Sequence, residues 1–356
     1  MIKNSGWSAG LILKKQNLFI GAGLLICAVA AVWVLALLGS SVREKQKRLA
    51  SMELAVKYRM DYAKLGIDYT ARIVDYRADG DYFNYGAATD YQNTNVYKLD
   101  KDGIPQVKSG GRLFYNPVTM AQYALSVYGI YLKEGRLRKR FLFLAEKLVA
   151  QQGDDGAFRY PFSWSYYLLK DPFKPGWVSG MAQGLALSVF ARAYHLTGDH
   201  HFLQAGSKAL DFLILPVSRG GCMSTLRDLK KLKRSSRKNV FFEEYICSPS
   251  SYTLNGFMFI LIGLYDWSRL DSPDRSKDEA LDYFQKGVAT LKIVLPYYDI
   301  GGFTAYDLSY LTYGLRPKSA RNYHSVHIQL LNALSAITGE EEFKQYERKW
   351  ISYIRP

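Results

Sequence analysis

Two kinds of helical pattern alternate along the chain. Four segments are small and apolar on nearly every face, opening near Met120-Ala121-Gln122, Met181-Ala182-Gln183, Leu254-Asn255-Gly256 and Val326-His327-Ile328. A helix that is apolar all round is a buried one. Each is followed by an amphipathic segment, at 138–151, 202–213, 277–293 and 341–352, with apolar positions at helical spacing. The pairs recur roughly every 60–75 residues. Glycine-rich turns with short strand-like runs follow three of them, at 156–160, 220–223 and 301–306. Buried helices alternating with amphipathic ones predict a mainly α fold, an incomplete (α/α) toroid or barrel of helical hairpins, with an open solenoid as the alternative. The strand-like ends would gather at one rim, where a cleft would form.

The amino-terminal third reads differently. Residues 18–38 carry no charge, enough to cross a hydrocarbon core of about 30 Å as a helix. They predict a single transmembrane helix after a tail at 1–17. Lysines and arginines flank both sides of this run, so orientation is not set by charge. Residues 39–68 read as a charged helical stalk. Residues 69–112 mix Gly, Asp and Tyr, and the Asp102-Gly103 pair is hairpin chemistry, so a small β segment is expected there. The helical-hairpin domain is then 113–356.

Charge narrows the partners. The chain has 47 Lys+Arg against 32 Asp+Glu, a net charge of +15, which favours a polyanion. No nucleic-acid reading motif accompanies the charge, so nucleic acid is not the expected partner. An anionic membrane or an acidic polysaccharide fits, and 28 Tyr favour a carbohydrate-facing surface. The basic run at 227–238 either tracks anionic groups along a polymer or forms a solvated loop. Three Cys without a CxxC pair exclude a disulfide scaffold and a cysteine zinc site. Cys222 and Cys247 are expected to be free and buried. His324 and His327 share a face but have no third ligand at metal spacing, so no metal site is expected. Asp75, Asp79 and Asp81 around Gly80 faintly resemble a calcium loop, with Gly86 where the bidentate glutamate would stand.

The densest polar and aromatic grouping lies between Phe241 and His327. Glu243-Glu244-Tyr245 precedes the third buried helix, Asn255 opens it, Tyr306-Asp307 follows the third pair, and Tyr323-His324 begins the fourth buried helix. All fall at element ends on the expected rim. Tyrosine has an ordinary pKa near 10 and becomes a usable base when a cation or hydrogen bonds lower it. Several tyrosines with a glutamate suit proton abstraction from a carbon next to a carboxylate, and the developing enolate needs a cation or donors at that carboxylate.

These residues resemble a known family. Phe242-Glu243-Glu244-Tyr245, Ser248-Pro249-Ser250-Ser251-Tyr252, Leu254-Asn255-Gly256-Phe257-Met258 and Leu261-Ile262-Gly263-Leu264-Tyr265-Asp266 are similar to the C-terminal domain of D-glucuronyl C5-epimerases. Tyr115-Asn116-Pro117-Val118-Thr119, Gly176-Trp177, Met181-Ala182-Gln183-Gly184, Leu295-Pro296-Tyr297-Tyr298-Asp299, Tyr306-Asp307-Leu308 and Tyr323-His324 extend the resemblance from Tyr115 to Pro356. Those enzymes convert glucuronate to iduronate in heparan sulfate and heparin precursors. The resemblance implies that Glu244, Tyr245, Tyr306 and Tyr323 form the reaction centre and that Asn255 and His324 contact substrate. It implies that Trp177 and Gln183 line the glycan groove. It also implies no redox cofactor, a structural calcium in some members, dimers among similar enzymes, and a type II anchor. The catalytic body is expected outside the cytoplasm, at a bacterial inner membrane.

One departure concerns charge. The family usually carries an arginine three positions after the tyrosine matching Tyr306, and Ser309 stands there. Arg321 is the candidate substitute for this carboxylate clamp. The expected function is uronate C5 epimerisation in a heparosan-like polysaccharide. A polysaccharide lyase shares the same first step, and a non-catalytic glycan-binding protein is the other alternative.

Overall fold

The computed structural model describes residues 76–83, 97–319 and 321–354, the side chains of 321 and 322 excepted. The tail, span and stalk expected within 1–68 lie outside the described residues. Among the described residues no helix is long and apolar enough to cross a membrane.

After a turn at 76–83, the described chain continues with a small β segment. Strands β1 (Tyr97–Leu99), β2 (Pro105–Ser109) and β3 (Arg112–Tyr115) form one antiparallel sheet in sequence order, Tyr97 opposite Val107 and Gln106 opposite Tyr115. Asp100 shapes the first turn, its Oδ1 accepting from the Asp102 and Ile104 N–H groups at 2.9 and 2.8 Å. The sheet runs three residues past the expected boundary at 112.

Four helix pairs follow. They are α1 (Pro117–Glu134) with α2 (Arg138–Val149), α3 (Gly180–Thr197) with α4 (His200–Ile214), α5 (Leu254–Ser268) with α6 (Ser276–Tyr298), and α8 (Arg321–Thr338) with α9 (Glu341–Ile354). A single turn, α7 (Ser309–Thr312), lies between the last two pairs. Asn116 caps α1 through its side chain, which accepts from Thr119 N, and Pro117 takes the first turn, where its missing N–H costs nothing. The first helices are buried as their composition requires. In α5 only Tyr265 and Ser268 escape burial.

The first helices pack in a row, α1 on α3, α3 on α5, α5 on α8, and each second helix covers its own partner. This is a mainly helical, two-layered arrangement. The closest contact, between α3 and α5, depends on glycine. A Cβ at Gly263 would stand 2.0 Å from the Gly184 carbonyl oxygen, and one at Gly184 would stand 2.7 Å from Ile260 Cα.

Two of the three expected strand-like runs form. β4 (Arg159–Tyr160) pairs with β5 (Trp177–Val178), and β6 (Met223–Thr225) with β7 (Val240–Phe242), both antiparallel. The run at 301–306 does not become a strand. Only an isolated bridge joins Asp299 to Thr304, because Gly301 and Gly302 take positive φ and turn the chain.

The basic run connects β6 to β7. Its leucines 226, 229 and 232 are buried while Arg227, Lys230, Lys231, Lys233, Arg234 and Lys238 are exposed, so it is an anchored excursion with a cationic outer face. Cys222 and Cys247 are free, the first buried and the second half-buried.

A buried ion pair fastens residues 76–82 to the helices. Arg192 of α3 meets Asp266 of α5 at 2.7 Å with both side chains fully buried. The guanidinium also donates to the carbonyls of Gly80 and Ser188 and to the Tyr76 hydroxyl, each near 3 Å. The calcium-loop expectation partly lies outside the described residues, at Asp75 and Gly86. The Asp79 carboxylate is engaged by the Arg77 guanidinium at 2.8 Å.

Candidate active site

The amino-terminal ends of α3 and α5 lie side by side and the segment after β7 runs across them. Glu243 is held by backbone bonds on both sides, its N–H donating to Cys222 O and its carbonyl accepting from Gly180 N, each 2.9 Å. Further backbone bonds lace three loops together: Leu254 N to Tyr306 O at 3.1 Å, Leu308 N to Ser251 O at 2.8 Å, and Tyr306 N to Lys318 O at 2.7 Å. Tyr252 sits at their crossing with φ 56°. That conformation costs a non-glycine residue about 1–2 kcal/mol. It is held by the Tyr252 hydroxyl donating to Thr225 O at 2.8 Å and by its carbonyl accepting from the Tyr298 hydroxyl at 2.6 Å.

This lacing brings together five of the expected residues, Glu244, Tyr245, Asn255, Tyr306 and Tyr323. Glu244 is buried and its Oε2 accepts from Asn255 Nδ2 at 3.1 Å. Tyr245 follows it in the chain, close enough to lower the proton affinity of its carboxylate. The Tyr306 hydroxyl interacts with those of Tyr245 and Tyr323. The rings of Tyr306 and Tyr323 meet edge-on, their centroids 4.6 Å apart. Tyr306 is buried, whereas Tyr245 and Tyr323 are half-buried. Asn255 Oδ1 is buried and accepts no hydrogen bond.

The electrostatics differ from the simple expectation. Burial pushes the Glu244 carboxyl up to about 7, against the hydrogen bonds from Tyr245, Asn255 and the Gly256 N–H. The tyrosines are raised rather than lowered. Burial first, and then the charge of Glu244, hold the Tyr245 and Tyr306 hydroxyls well above the ordinary phenol value and push Tyr323 up to about 12. Before substrate arrives these groups are therefore proton donors, and Glu244 is the group whose proton affinity matches neutral pH.

An aromatic stack adjoins the centre. Trp177 lies on Tyr160 with centroids 3.7 Å apart, and Phe173 lies on Trp177 at 5.5 Å. Tyr245 stacks on Tyr166 at 4.4 Å and faces Trp177 at 6.2 Å. Half-buried Trp177 thus joins this stack to Tyr245 of the centre. Stacked, partly open aromatic faces suit the apolar faces of sugar rings.

Two expected substrate contacts are placed otherwise. His324 is fully buried, its Nδ1 2.9 Å from Thr304 Oγ1 and its Nε2 3.0 Å from Trp350 O. Both ring nitrogens are used inside the fold, so His324 ties α8 to α9 and has no ring nitrogen left for substrate. Gln183 is also fully buried. With its amide oriented to satisfy both neighbours, Nε2 donates to Gly156 O at 3.3 Å and Oε1 accepts from Phe158 N at 3.1 Å. It fixes the turn behind the groove instead of lining it. Arg321 opens α8, and its side chain lies outside the described residues.

Asp307 and Ser309 belong to a second group whose other members, Tyr167 and Lys318, the sequence did not point to. Asp307 accepts from the Tyr167 hydroxyl and from Ser309 N at 3.0 Å, and Tyr167 also meets Ser309 Oγ at 3.0 Å. Lys318 Nζ stands 3.4 Å from the centroid of the Tyr167 ring and 5.7 Å from that of Tyr306. The crowding of aromatics at Trp164-Ser165-Tyr166-Tyr167 was the signal available for part of it. A cavity of about 660 Å³ lined by Tyr76, Asp79, Ala191, His195, Tyr265 and Arg269 lies at the carboxyl ends of α3 and α5, away from this chemistry.

The model of the D-glucuronyl C5-epimerase C-terminus matches residues 151–352. A D-glucuronyl C5-epimerase of Caenorhabditis elegans is 36% identical over 222 residues, covering 60% of this chain and 34% of that protein. An uncharacterized protein of Methanocaldococcus jannaschii is 28% identical over 227 residues, covering 60% of this chain and 67% of that protein. The match therefore spans about a third of the worm protein's length.

Proposed function

The chain belongs to the D-glucuronyl C5-epimerase family through its C-terminal domain, and from that premise we propose that it inverts C5 of glucuronate residues in a heparosan-like polysaccharide. The observation that carries this reading is the gathering of one buried carboxylate and three tyrosines: Asn255 holds Glu244 at 3.1 Å, the rings of Tyr306 and Tyr323 meet at 4.6 Å, and the charge of Glu244 reaches Tyr245, Tyr306 and Tyr323 alike. Inversion needs an acid or base on each face of the sugar ring. Half-buried Tyr245 and Tyr323 stand at the two ends of the buried Tyr306, which supports one of them serving each face.

The proposed step is balanced without any oxidant. As Tyr245 passes its proton to the Glu244 carboxylate, its oxygen takes the C5 proton. The C5–H pair moves into a C5–C6 double bond, giving an enediolate. Tyr323 then donates a proton to C5 from the other side, and the pair returns to form the new C–H bond. Tyr306, between them, carries the proton that resets the two ends. Asn255 Oδ1, buried without a partner, accepts a sugar hydroxyl. Trp177 forms the wall on which a ring lies.

The same reading includes a single-span anchor at residues 18–38, supported by their lack of charge, with the catalytic body on the outer side of the membrane. It takes the helix pairs as an arc of an incomplete (α/α) toroid.

The test is incubation of the full-length chain in detergent with heparosan in deuterated water, following C5 by NMR. Deuterium at C5 with new iduronate signals is the expected result. Tyr245→Phe and Tyr323→Phe should each abolish inversion, by about 10²–10⁴-fold. Binding of the polymer without exchange would overturn the reading. An ultraviolet-absorbing unsaturated uronate would point to a lyase instead.

A further inference from the structure

We infer that Lys318 is the cation that receives the C6 carboxylate of the sugar being inverted. This rests on the epimerase reading. Removing the C5 proton spreads a second negative charge onto the carboxylate, so a cation there is worth most in the transition state.

Ser309, where the resemblance expects an arginine, is sealed. It is fully buried, and its N–H and Oγ are spent on Asp307 and Tyr167. Tyr167 occupies the space above it. Lys318 lies on the outer face of that tyrosine, 3.4 Å from its centroid, and reaches the Tyr306 ring at 5.7 Å. Of the cation–ring contacts among the described residues, only those of Lys318 reach a tyrosine of the centre. Its position is not left to a flexible stem alone, because its carbonyl accepts from Tyr306 N at 2.7 Å. Backbone and side chain thus both tie it to Tyr306.

Its charge is available. Among the described residues Lys318 forms no ion pair within 4 Å, and its side chain is half-buried against the two rings. The neighbouring Asp307 carboxylate is already taken by Tyr167 and the Ser309 N–H. Burial holds the Lys318 pKa below the ordinary lysine value, with the charge of Asp307 opposing. A partly desolvated ammonium over aromatic faces binds an anion more strongly than one in water. Being a point charge and not a fork, it selects for a carboxylate without demanding two-point geometry. A neutral hexose at the same place would leave it unmatched.

The experiment compares heparosan with heparosan whose carboxyls have been reduced to hydroxymethyls. Binding and C5 exchange are measured for the wild-type full chain, Lys318→Gln and Lys318→Arg, with a thermal melt of each. Wild type should prefer the carboxylated polymer about tenfold or more. Lys318→Gln should lose that preference and slow exchange by about 10²-fold, and Lys318→Arg should retain most of the preference. If wild type exchanges C5 and Lys318→Gln keeps both rate and preference within about threefold, Lys318 is not the clamp while the epimerase reading stands. If wild type does not exchange, the epimerase reading fails, and the binding preference alone decides for or against Lys318. A wild type without any preference overturns the inference. Lys318→Met, equally long and uncharged, replaces Lys318→Gln should the latter melt early.

Discussion

Gly256 and Glu244 share one volume. A Cβ at Gly256 would stand 2.3 Å from Glu244 Oε2 and 2.5 Å from Glu244 Cβ. The first turn of α5 can therefore press directly on the buried carboxylate, and Asn255, one residue earlier, donates to it from the same turn. The glycine is required by this approach and not by its backbone angles.

Gly256→Ala should push Glu244 out of line with Tyr245. A misplacement near 1 Å costs about 10²-fold in rate, and overpacking costs about 1–3 kcal/mol of stability. C5 deuterium exchange beside a urea melt would separate the two. A folded variant with wild-type exchange would show that the carboxylate position does not matter.

Glu243 and Glu244 both titrate near 7 in the fold, against 4.5 for an ordinary glutamate, with burial the largest cause for each. The folded carboxyls keep protons that unfolded ones have released. Stability should therefore be greatest below about pH 4.5 as far as these groups go, and should fall as pH rises to about 7. Each contributes about 3 kcal/mol to that fall. Glu244→Gln should flatten the decline between pH 5 and 8 in urea denaturation. An undiminished decline would mean that Glu244 is not raised.

Arg192 and Asp266 form a pair in which removal of one partner strands a buried charge. Arg192→Met should cost about 3–5 kcal/mol, read as a lower melting temperature, and should expose the segment at 76–82 to proteolysis. Arg192→Met with Asp266→Leu should cost less than the sum of the two single changes. Additive losses would mean that the pair is not coupled.

The cationic outer face of the β6–β7 excursion is anchored beside the site, since Asp228 Oδ2 accepts from Ser250 N at 3.0 Å. Replacing Lys230, Lys231, Lys233 and Arg234 by Gln should raise KM for a long polymer about threefold to tenfold at low ionic strength. The effect should vanish near 0.5 M salt, where the Debye length is only a few Å. Turnover of short oligosaccharides should not change. Equal loss on short and long substrates would move these residues' role to the fold.

Much of the helical architecture was legible because its signals are local. The helix pairs could be read from apolar faces repeating along each segment, and α2, for example, begins at Arg138 as expected. The Glu244–Tyr245–Asn255 grouping was legible because its members lie close in sequence around the start of α5. The strand expected at 301–306 failed because two glycines with positive φ turn the chain, leaving no partner strand to complete a ladder. His324 and Gln183 were expected at substrate from the resemblance alone, and a resemblance shows a residue's position in the chain but not the partner that consumes its polar atoms. Thr304, Trp350, Gly156 and Phe158 all lie more than a dozen residues away in sequence, on other elements.

By itself, then, the sequence determined the helical pairs, the family and the grouping of tyrosines with a glutamate, since periodicity and motif belong to short stretches of chain. The tertiary structure alone decided which polar groups face outward, which are spent in the core, and that the cation beside Tyr306 comes from Lys318. Those outcomes depend on burial and on contacts between distant segments. The backbone bonds from Leu254 to Tyr306 and from Tyr306 to Lys318 set them by drawing three separate loops to one point.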